Sequence, residues 1–234
     1  MNYVVLLAGG VGNRVHADKP KQYIKIGDKM LITYTAEVLL KSSVIDKMII
    51  VAASQWEDVV GDELMALYPT EFVSKFVGFA TPGETRQESI ISGMERIFRD
   101  CGGSADDTVM IHDAARPFIS EKMIEIYYSE MLGHDGVMPV LPMKDTVYIS
   151  EDGRKVSGLV DRSKLFAGQS PEIFVFEKYF VACKTMGKGQ SKGIHGSTEP
   201  AILAGLDVVM VTGDEANFKV TTDSDLQKAI SLLR

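Results

Sequence analysis

The sequence predicts an α/β fold, a mostly parallel sheet wrapped by helices. Two observations carry that expectation. Short apolar runs rich in β-branched residues recur along the 234-residue chain, and stretches of helical period fill most of the gaps between them. A third observation marks one departure, a pair of short extended runs joined by a turn signal.

The apolar runs fall at 4–7, 48–51, 76–79, 109–111, 137–140 and 208–211. Near-continuous hydrophobic runs of this kind suit strands that are covered on both faces. Helical patterns follow at 32–40, 57–67, 87–98, 121–131, 176–186 and 224–232, several opened by a Ser, Thr or Asp able to cap them. Alternation of the two implies right-handed crossovers, and ligands of such sheets meet the loops beyond the carboxyl ends of the strands. Runs 145–150 and 155–159 flank Glu151-Asp152-Gly153-Arg154 and predict a β-arm over about 142–162 that projects from the sheet. The segment from Gly187 to Gly196 predicts a mobile loop, and residues 1–234 read as a single domain.

Composition narrows the function classes. With 45% hydrophobic and 24% charged residues the chain fits an ordinary soluble globular protein. A net charge of -7 is the wrong sign for a broad nucleic-acid footprint, so any phosphate chemistry must rest on a few placed cations. Cys101 and Cys183 form neither a Cys-x-x-Cys pair nor a metal-ligand cluster. The apolar start at 3–8 runs into glycines, is too short for a membrane span and lacks a basic leader. The expectation is a cytoplasmic protein with neither a membrane nor a nucleic-acid partner.

The first strand ends in Ala8-Gly9-Gly10-Val11-Gly12-Asn13-Arg14, followed by Pro20-Lys21-Gln22-Tyr23. Glycines let a backbone approach a ligand and offer N–H groups to phosphate oxygens, while Arg14 and Lys21 add positive charge. A dinucleotide fingerprint would need glycine where Val15 stands, and no Gly-Lys-Ser/Thr closes a P-loop. Taken alone, the glycines also fit a tight structural turn. Gly83 and Ser89 lie at a helix entrance, where they suit either a reader of a base edge or a glycine turn with a cap. Asp113 and Arg116 end the run at 109–111; they suit hydroxyl and phosphate recognition, with a local ion pair as the alternative. His112, His16, His134 and His195 read as structural rather than as bases.

Taken together these motifs resemble the CTP-dependent polyol-phosphate cytidylyltransferases, which act on 2-C-methyl-D-erythritol 4-phosphate or D-ribitol 5-phosphate. The likeness continues through Gly83-Glu84-Thr85-Arg86-Gln87-Glu88-Ser89, His112-Asp113-Ala114-Ala115-Arg116-Pro117, Asp145-Thr146, Arg162 with Gln169-Ser170-Pro171, and Asn217-Phe218-Lys219-Val220-Thr221. The motifs stand in family order over nearly the whole chain.

The resemblance implies a Rossmann-like nucleotidyltransferase fold and a homodimer that joins CTP to a small polyol phosphate. It assigns Ala8, Gly9, Gly10, Gly12, Gly83 and Ser89 to the nucleotide, and Arg14, Lys21 and Lys219 to catalysis at the α-phosphate. Asp113, Arg116, Thr146, Arg162 and Ser170 fall to the acceptor, with Arg162 and Ser170 reaching across the dimer interface. Mg²⁺ is held mainly by the CTP phosphates, with no protein metal site. No histidine base is required, because a phosphate monoester with a second pKa of about 6 is already largely ionised at neutral pH. Lys219 without the resemblance would read as a solvated surface lysine.

Two positions depart from the family. Ser170 stands where Thr is more common, and Thr198 replaces the acid of a Thr-Asp pair, a change at a loop-to-helix start. Ala8-Gly9-Gly10 and Gly168-Gln169-Ser170-Pro171 lean to the ribitol branch, while Ala114-Ala115-Arg116-Pro117-Phe118 and Val160-Asp161-Arg162-Ser163 also suit the methylerythritol branch. Two other functions stay open: a sugar-1-phosphate nucleotidyltransferase using UTP or dTTP, and an inactive nucleotide-binding regulatory domain. The Asp113-Arg116 and Arg162-Ser170 sets speak against the first, and retention of Arg14, Lys21 and Lys219 against the second.

Overall fold

A computed structural model describes residues 1–10, 17–186 and 196–233. The strands are β1 (Asn2–Leu7), β2 (Lys25–Ile26), β3 (Lys29–Met30), β4 (Lys47–Val51), β5 (Phe76–Ala80), β6 (Thr108–Asp113), β7 (Gly136–Pro142), β8 (Val147–Ile149), β9 (Gly158–Val160), β10 (Phe166–Gly168), β11 (Glu172–Val175) and β12 (Val208–Thr212). The helices are α1 (Leu31–Lys41), α2 (Glu57–Leu67), α3 (Pro69–Lys75), α4 (Arg86–Cys101), α5 (Glu121–Glu130), α6 (Phe176–Thr185), α7 (Glu199–Leu203) and α8 (Asp223–Leu233).

Among the described residues the main sheet runs β10-β7-β11-β6-β1-β4-β5, with β12 paired to β7. β1 is parallel to both β4 and β6, and β4 to β5, as the alternating pattern requires. The chain leaves β1 through α1 to one side and comes back through α4 to β6 on the other. That reversal opens a crevice at the carboxyl ends of β1 and β6, where ligands of such sheets bind.

Alternate residues of the central strands feed two cores. Val4, Leu6, Met48, Ile50 and Met110 pack with Leu39, Val60, Leu64 and Ile124 of α1, α2 and α5 on one face. Tyr3, Val5, Ile49, Val51 and Ile111 pack with Ile90, Met94, Ile97 and Tyr179 of α4 and α6 on the other. Burial on both faces explains why the strands read as unbroken apolar runs. A third cluster joins Ile26, Leu31 and Val220 to Ala229 of α8, and it fixes the segment that carries Lys219.

The arm forms as an antiparallel pair, with Tyr148 opposite Leu159 and Val147 opposite Val160. Gly153 turns it at a φ of 69°, a left-handed value glycine adopts without steric cost, and Asp152 Oδ1 accepts from the Arg154 and Lys155 amides.

The structure departs from the sequence expectation in the second half of the sheet. β11 is antiparallel to both β6 and β7, and β10 to β7, so the sheet is mixed on that side. Glu172–Val175 is a four-residue strand that runs straight into α6, and its apolar residues merge with the helical pattern that follows. α3, α7 and the β2–β3 pair are additional short elements; α3 starts at Pro69, a residue suited to the first turn of a helix. Most of the expected loop, 187–195, lies outside the described residues. Thr198 precedes α7 as a change at a helix start should. No helix among the described residues is long and apolar enough to cross a membrane.

Candidate active site

A cavity of about 620 Å³ opens beyond the carboxyl ends of β1, β5 and β6. Gly9, Gly10, Lys21 and Gln22 line one side, Gly83 to Arg86 with Ser89 another, and Asp113, Ala115 and Lys219 close it.

The wall after β1 is built by the Pro20-Lys21-Gln22-Tyr23 motif. These residues make a single 3₁₀ turn, Lys21–Tyr23, whose Gln22 and Tyr23 point inward. Gln22 Nε2 donates to the carbonyls of Ala8 at 2.6 Å and Gly10 at 2.7 Å, and the Tyr23 hydroxyl donates to Ala8 O at 2.9 Å. Tyr23 also stacks on Trp56. Two buried side chains therefore tie the turn to the glycine loop, and Lys21 beside them is delivered to the cavity.

The two described glycines differ. A Cβ on Gly9 would come within 2.4 Å of Pro82, so close packing of the β1 and β5 loops demands glycine there. A Cβ on Gly10 would meet nothing within 4 Å among the described residues. Packing against the described residues does not require glycine there, and the open backbone lines the cavity.

The wall after β5 is the start of α4. Thr85 caps the helix, accepting from Glu88 N at 3.1 Å, while the Glu88 carboxylate accepts from Thr85 N at 3.2 Å and Glu84 N at 2.8 Å. Such a capping box contributes on the order of 1 kcal/mol to a helix. Ser89 is not the cap. Its hydroxyl accepts from Gly83 N at 3.1 Å and donates to Thr85 O at 3.0 Å, fixing the shape of the turn. A Cβ on Gly83 would lie 2.2 Å from Glu88 Cβ, so this turn also needs glycine for packing.

Asp113, at the end of β6, gathers the charges. Its Oδ2 lies 3.0 Å from Lys219 Nζ and 3.6 Å from Arg116 Nε, and its Oδ1 lies 3.2 Å from Arg86 Nη2. Burial opposes its ionisation, but Arg86, Lys219 and Arg116 outweigh burial and hold the carboxyl well below the usual carboxylate range. Lys219 is kept in place by Val220, which is buried and donates its amide to Ala115 O at 2.9 Å. The Asp113-Arg116 ion pair, the alternative reading of their spacing, exists, yet it is only one arm of a larger cluster.

His112 sits behind this cluster, with Nδ1 2.8 Å from the Ser170 hydroxyl. Burial pushes its pKa down to about 3, which keeps it neutral and suits the structural role. His134 pairs with Asp207 at the surface.

Residues 2–234 match the family profile described as IspD, 2-C-methyl-D-erythritol 4-phosphate cytidylyltransferase. The chain belongs to this family of nucleotidyltransferase enzymes. The 2-C-methyl-D-erythritol 4-phosphate cytidylyltransferase of Clostridium acetobutylicum is 35% identical, covering 100% of this chain and 98% of the relative. The ribitol-5-phosphate cytidylyltransferase of Lactiplantibacillus plantarum is 31% identical over the same shares, 100% and 98%. Among solved structures, 4-diphosphocytidyl-2C-methyl-D-erythritol synthase from Anaerococcus prevotii superposes with a TM-score of 0.79 at 21% identity, over 99% of this chain and 95% of that one. At that identity the likeness speaks for the fold.

Of the residues this family resemblance singles out, Gly9, Gly10, Lys21, Gly83, Ser89, Asp113 and Lys219 line one cavity. Ala8 is buried just behind it, with its carbonyl taken by Gln22 and Tyr23. Gly12 and Arg14 lie outside the described residues. The acceptor set is split. Arg116 Nη1 donates to Asn217 O at 2.7 Å behind the cavity wall. Thr146 and Arg162 are exposed at the arm, where Arg162 donates to Lys144 O at 2.6 Å.

Ser170 needs correction. It does not travel with Arg162 on the arm but is buried beside Asp113, whose amide donates to its hydroxyl at 3.0 Å. The return of β10 into β11 carries it into the sheet, where Asn217 Nδ2 also holds its carbonyl at 2.8 Å. Its hydroxyl supports the Asp113 end of β6.

Sequence reasoning passed over Arg86 and Glu172. Arg86 was inside a quoted motif, yet nothing in its spacing told that it crosses to Asp113 and to the Ser197 hydroxyl. Glu172 lies 4.0 Å from the same guanidinium, on the antiparallel strand that the sequence hid.

Proposed function

We propose that this protein transfers CMP from CTP to a polyol phosphate and releases pyrophosphate. The observation that carries this reading is Asp113 with Arg86 and Lys219 facing the glycine loop and Lys21 across one cavity. Two anions must meet there, and the cluster offers positive charge on opposite sides of the space between them.

In this reading Ala8, Gly9, Gly10, Gly12, Gly83 and Ser89 serve the nucleotide. An ionised oxygen of the acceptor phosphate attacks the α-phosphorus, and the bond from that phosphorus to the β-phosphate bridging oxygen breaks. Arg14, Lys21 and Lys219 stabilise the charge that develops on the α-phosphate oxygens. Among the described residues no group of three or more His, Cys, Asp or Glu is poised to hold a metal, and Asp113 already faces three cations. Mg²⁺ would be carried mainly by the triphosphate, where it would neutralise charge on the leaving pyrophosphate.

Arg162 and Thr146 stand apart from the cavity on the arm, so they serve the acceptor best from a second subunit of a homodimer. Tyr148, Val156 and Leu159 expose 60%, 68% and 66% of their surface on that arm, an apolar area a symmetric copy would cover.

The acceptor reading leans to D-ribitol 5-phosphate on Ala8-Gly9-Gly10 and Gly168-Gln169-Ser170-Pro171. The second reading, 2-C-methyl-D-erythritol 4-phosphate, is favoured by the 35% identity to the Clostridium acetobutylicum relative. Pyrophosphate release with CTP and Mg²⁺ separates them. A higher kcat/KM with ribitol 5-phosphate supports the first, and the reverse order assigns the chain to the second.

A further inference from the structure

One acidic group behind the cavity wall, beside Arg86, has no part in the roles above. Glu172 opens β11 opposite Ile111 of β6 and is 8% exposed. Its Oε2 lies 4.0 Å from Arg86 Nη2 and is buried without a hydrogen-bond partner. The same Nη2 donates to Asp113 Oδ1, and Nη1 donates to the Ser197 hydroxyl. Arg86 is thus gripped from behind while its remaining surface lines the cavity.

The two carboxyl groups beside Arg86 are unequal. Asp113 faces Arg86, Lys219 and Arg116 and stays ionised. Glu172 faces Arg86 from α4, Asp113 and Arg116 from β6 and the turn after it, and Tyr179 from α6, with the Ser197 hydroxyl alongside. A buried carboxylate oxygen without a donor is costly, and neutralisation relieves that cost. Burial pushes Glu172 up to about 7, Arg86 pulls against this, and the charge of Asp113 adds to it.

We propose that Glu172 is a positioning residue acting through Arg86: it holds the guanidinium at the wall of the empty cavity and takes up a proton when the nucleotide's phosphates claim that guanidinium. The proposal rests on the reading of this cavity as the CTP site. A phosphate oxygen is a stronger acceptor for a guanidinium than a carboxylate 4.0 Å away, and its negative charge favours the neutral form of Glu172. The step moves one proton from solvent to the carboxylate and changes no bond of the nucleotide. Net charge at the cavity wall rises by one as the anion arrives, so binding is tighter at lower pH.

Calorimetry of CTP binding tests this, run from about pH 6 to about pH 8 in two buffers of different ionisation heat, on the full chain and on Glu172→Gln. The wild type should take up protons that the variant does not, most strongly near and just above neutral pH. Its CTP affinity should also fall with rising pH several-fold more than that of the variant. Titration of the nucleotide's own phosphates is common to both proteins and drops out of the difference. A merely structural Glu172 would lower the variant's affinity alike at every pH and leave proton uptake equal in the two proteins, which overturns the proposal. Should the variant not fold, the Glu172 carboxyl ¹³C resonance of the wild type decides. Its titration midpoint should lie near neutrality and move up with CTP; a midpoint in the ordinary glutamate range, or one that CTP leaves in place, refutes it. Wild-type protein that binds no CTP at any pH overturns the nucleotide reading itself, and this proposal with it.

Discussion

Lys219 Nζ lies 3.0 Å from Asp113 Oδ2, so the ammonium that faces the cavity is already held by an acid on the neighbouring strand end. Anchored by Val220 on one side and Asp113 on the other, it is pre-positioned and needs little reorganisation to meet charge that builds on a phosphate. Lys219→Ala and Lys21→Ala should each lower kcat by roughly 10²-fold or more while weakening CTP binding much less. Steady-state kinetics beside direct binding measurements check the split, and near-normal kcat in either variant removes that lysine from its role.

Stability should respond to pH through two buried groups of opposite sign. His112 is held neutral, with its pKa lowered from 6.5 to about 3, so the stability it contributes is present above its unfolded value and declines as pH falls through that window. Glu172 is raised from 4.5 to about 7, so its contribution is complete below the lower value and declines as pH rises through the upper one. Glu172→Gln should remove only the second loss. Relative to wild type the variant should gain on the order of 1–3 kcal/mol between acidic and mildly alkaline pH. Urea midpoints at both ends of the range measure it, and a constant difference between the two proteins would show that Glu172 does not titrate there.

CTP should be preferred over UTP by roughly 10²-fold or more in kcat/KM, because a polar group set to meet the exocyclic amine of cytosine is left unpaired by uracil. The Ser89 hydroxyl is occupied with Gly83 and Thr85, so on the proposed reading the turn's main chain would meet the base. Ser89→Ala should therefore relax discrimination by loosening the turn. Equal turnover of CTP and UTP by the wild type would point to a sugar-phosphate nucleotidyltransferase.

The shared-site arrangement predicts complementation. Arg162→Ala and Lys21→Ala chains, each nearly inactive, should regain activity when their subunits exchange, because some heterodimers then pair an intact Lys21 with an intact Arg162. A mixture with proven exchange that remains as inactive as its parents would leave Arg162 acting within its own chain.

Much of this was legible in the sequence because β1, β4 and β6 are covered on both faces and their apolar runs leave little choice of element. The cavity's glycines, Lys21, Asp113 and Lys219 were legible because each sits just beyond a strand or in a motif whose order could be followed. What escaped was long-range. Arg86 and Glu172 meet through the antiparallel return of β11, a pairing no local periodicity announces. The resemblance groups Ser170 with Arg162, whereas the passage from β10 to β11 separates them in space.

Product analysis bears most directly on the chemistry proposed here. Wild-type protein incubated with CTP, Mg²⁺ and a polyol phosphate should yield pyrophosphate and a CDP-polyol in equal amounts, the latter visible by ³¹P NMR as two mutually coupled phosphorus signals. If CTP binds yet survives intact with both ribitol 5-phosphate and 2-C-methyl-D-erythritol 4-phosphate, the chain is a nucleotide-binding relative of the family rather than a cytidylyltransferase.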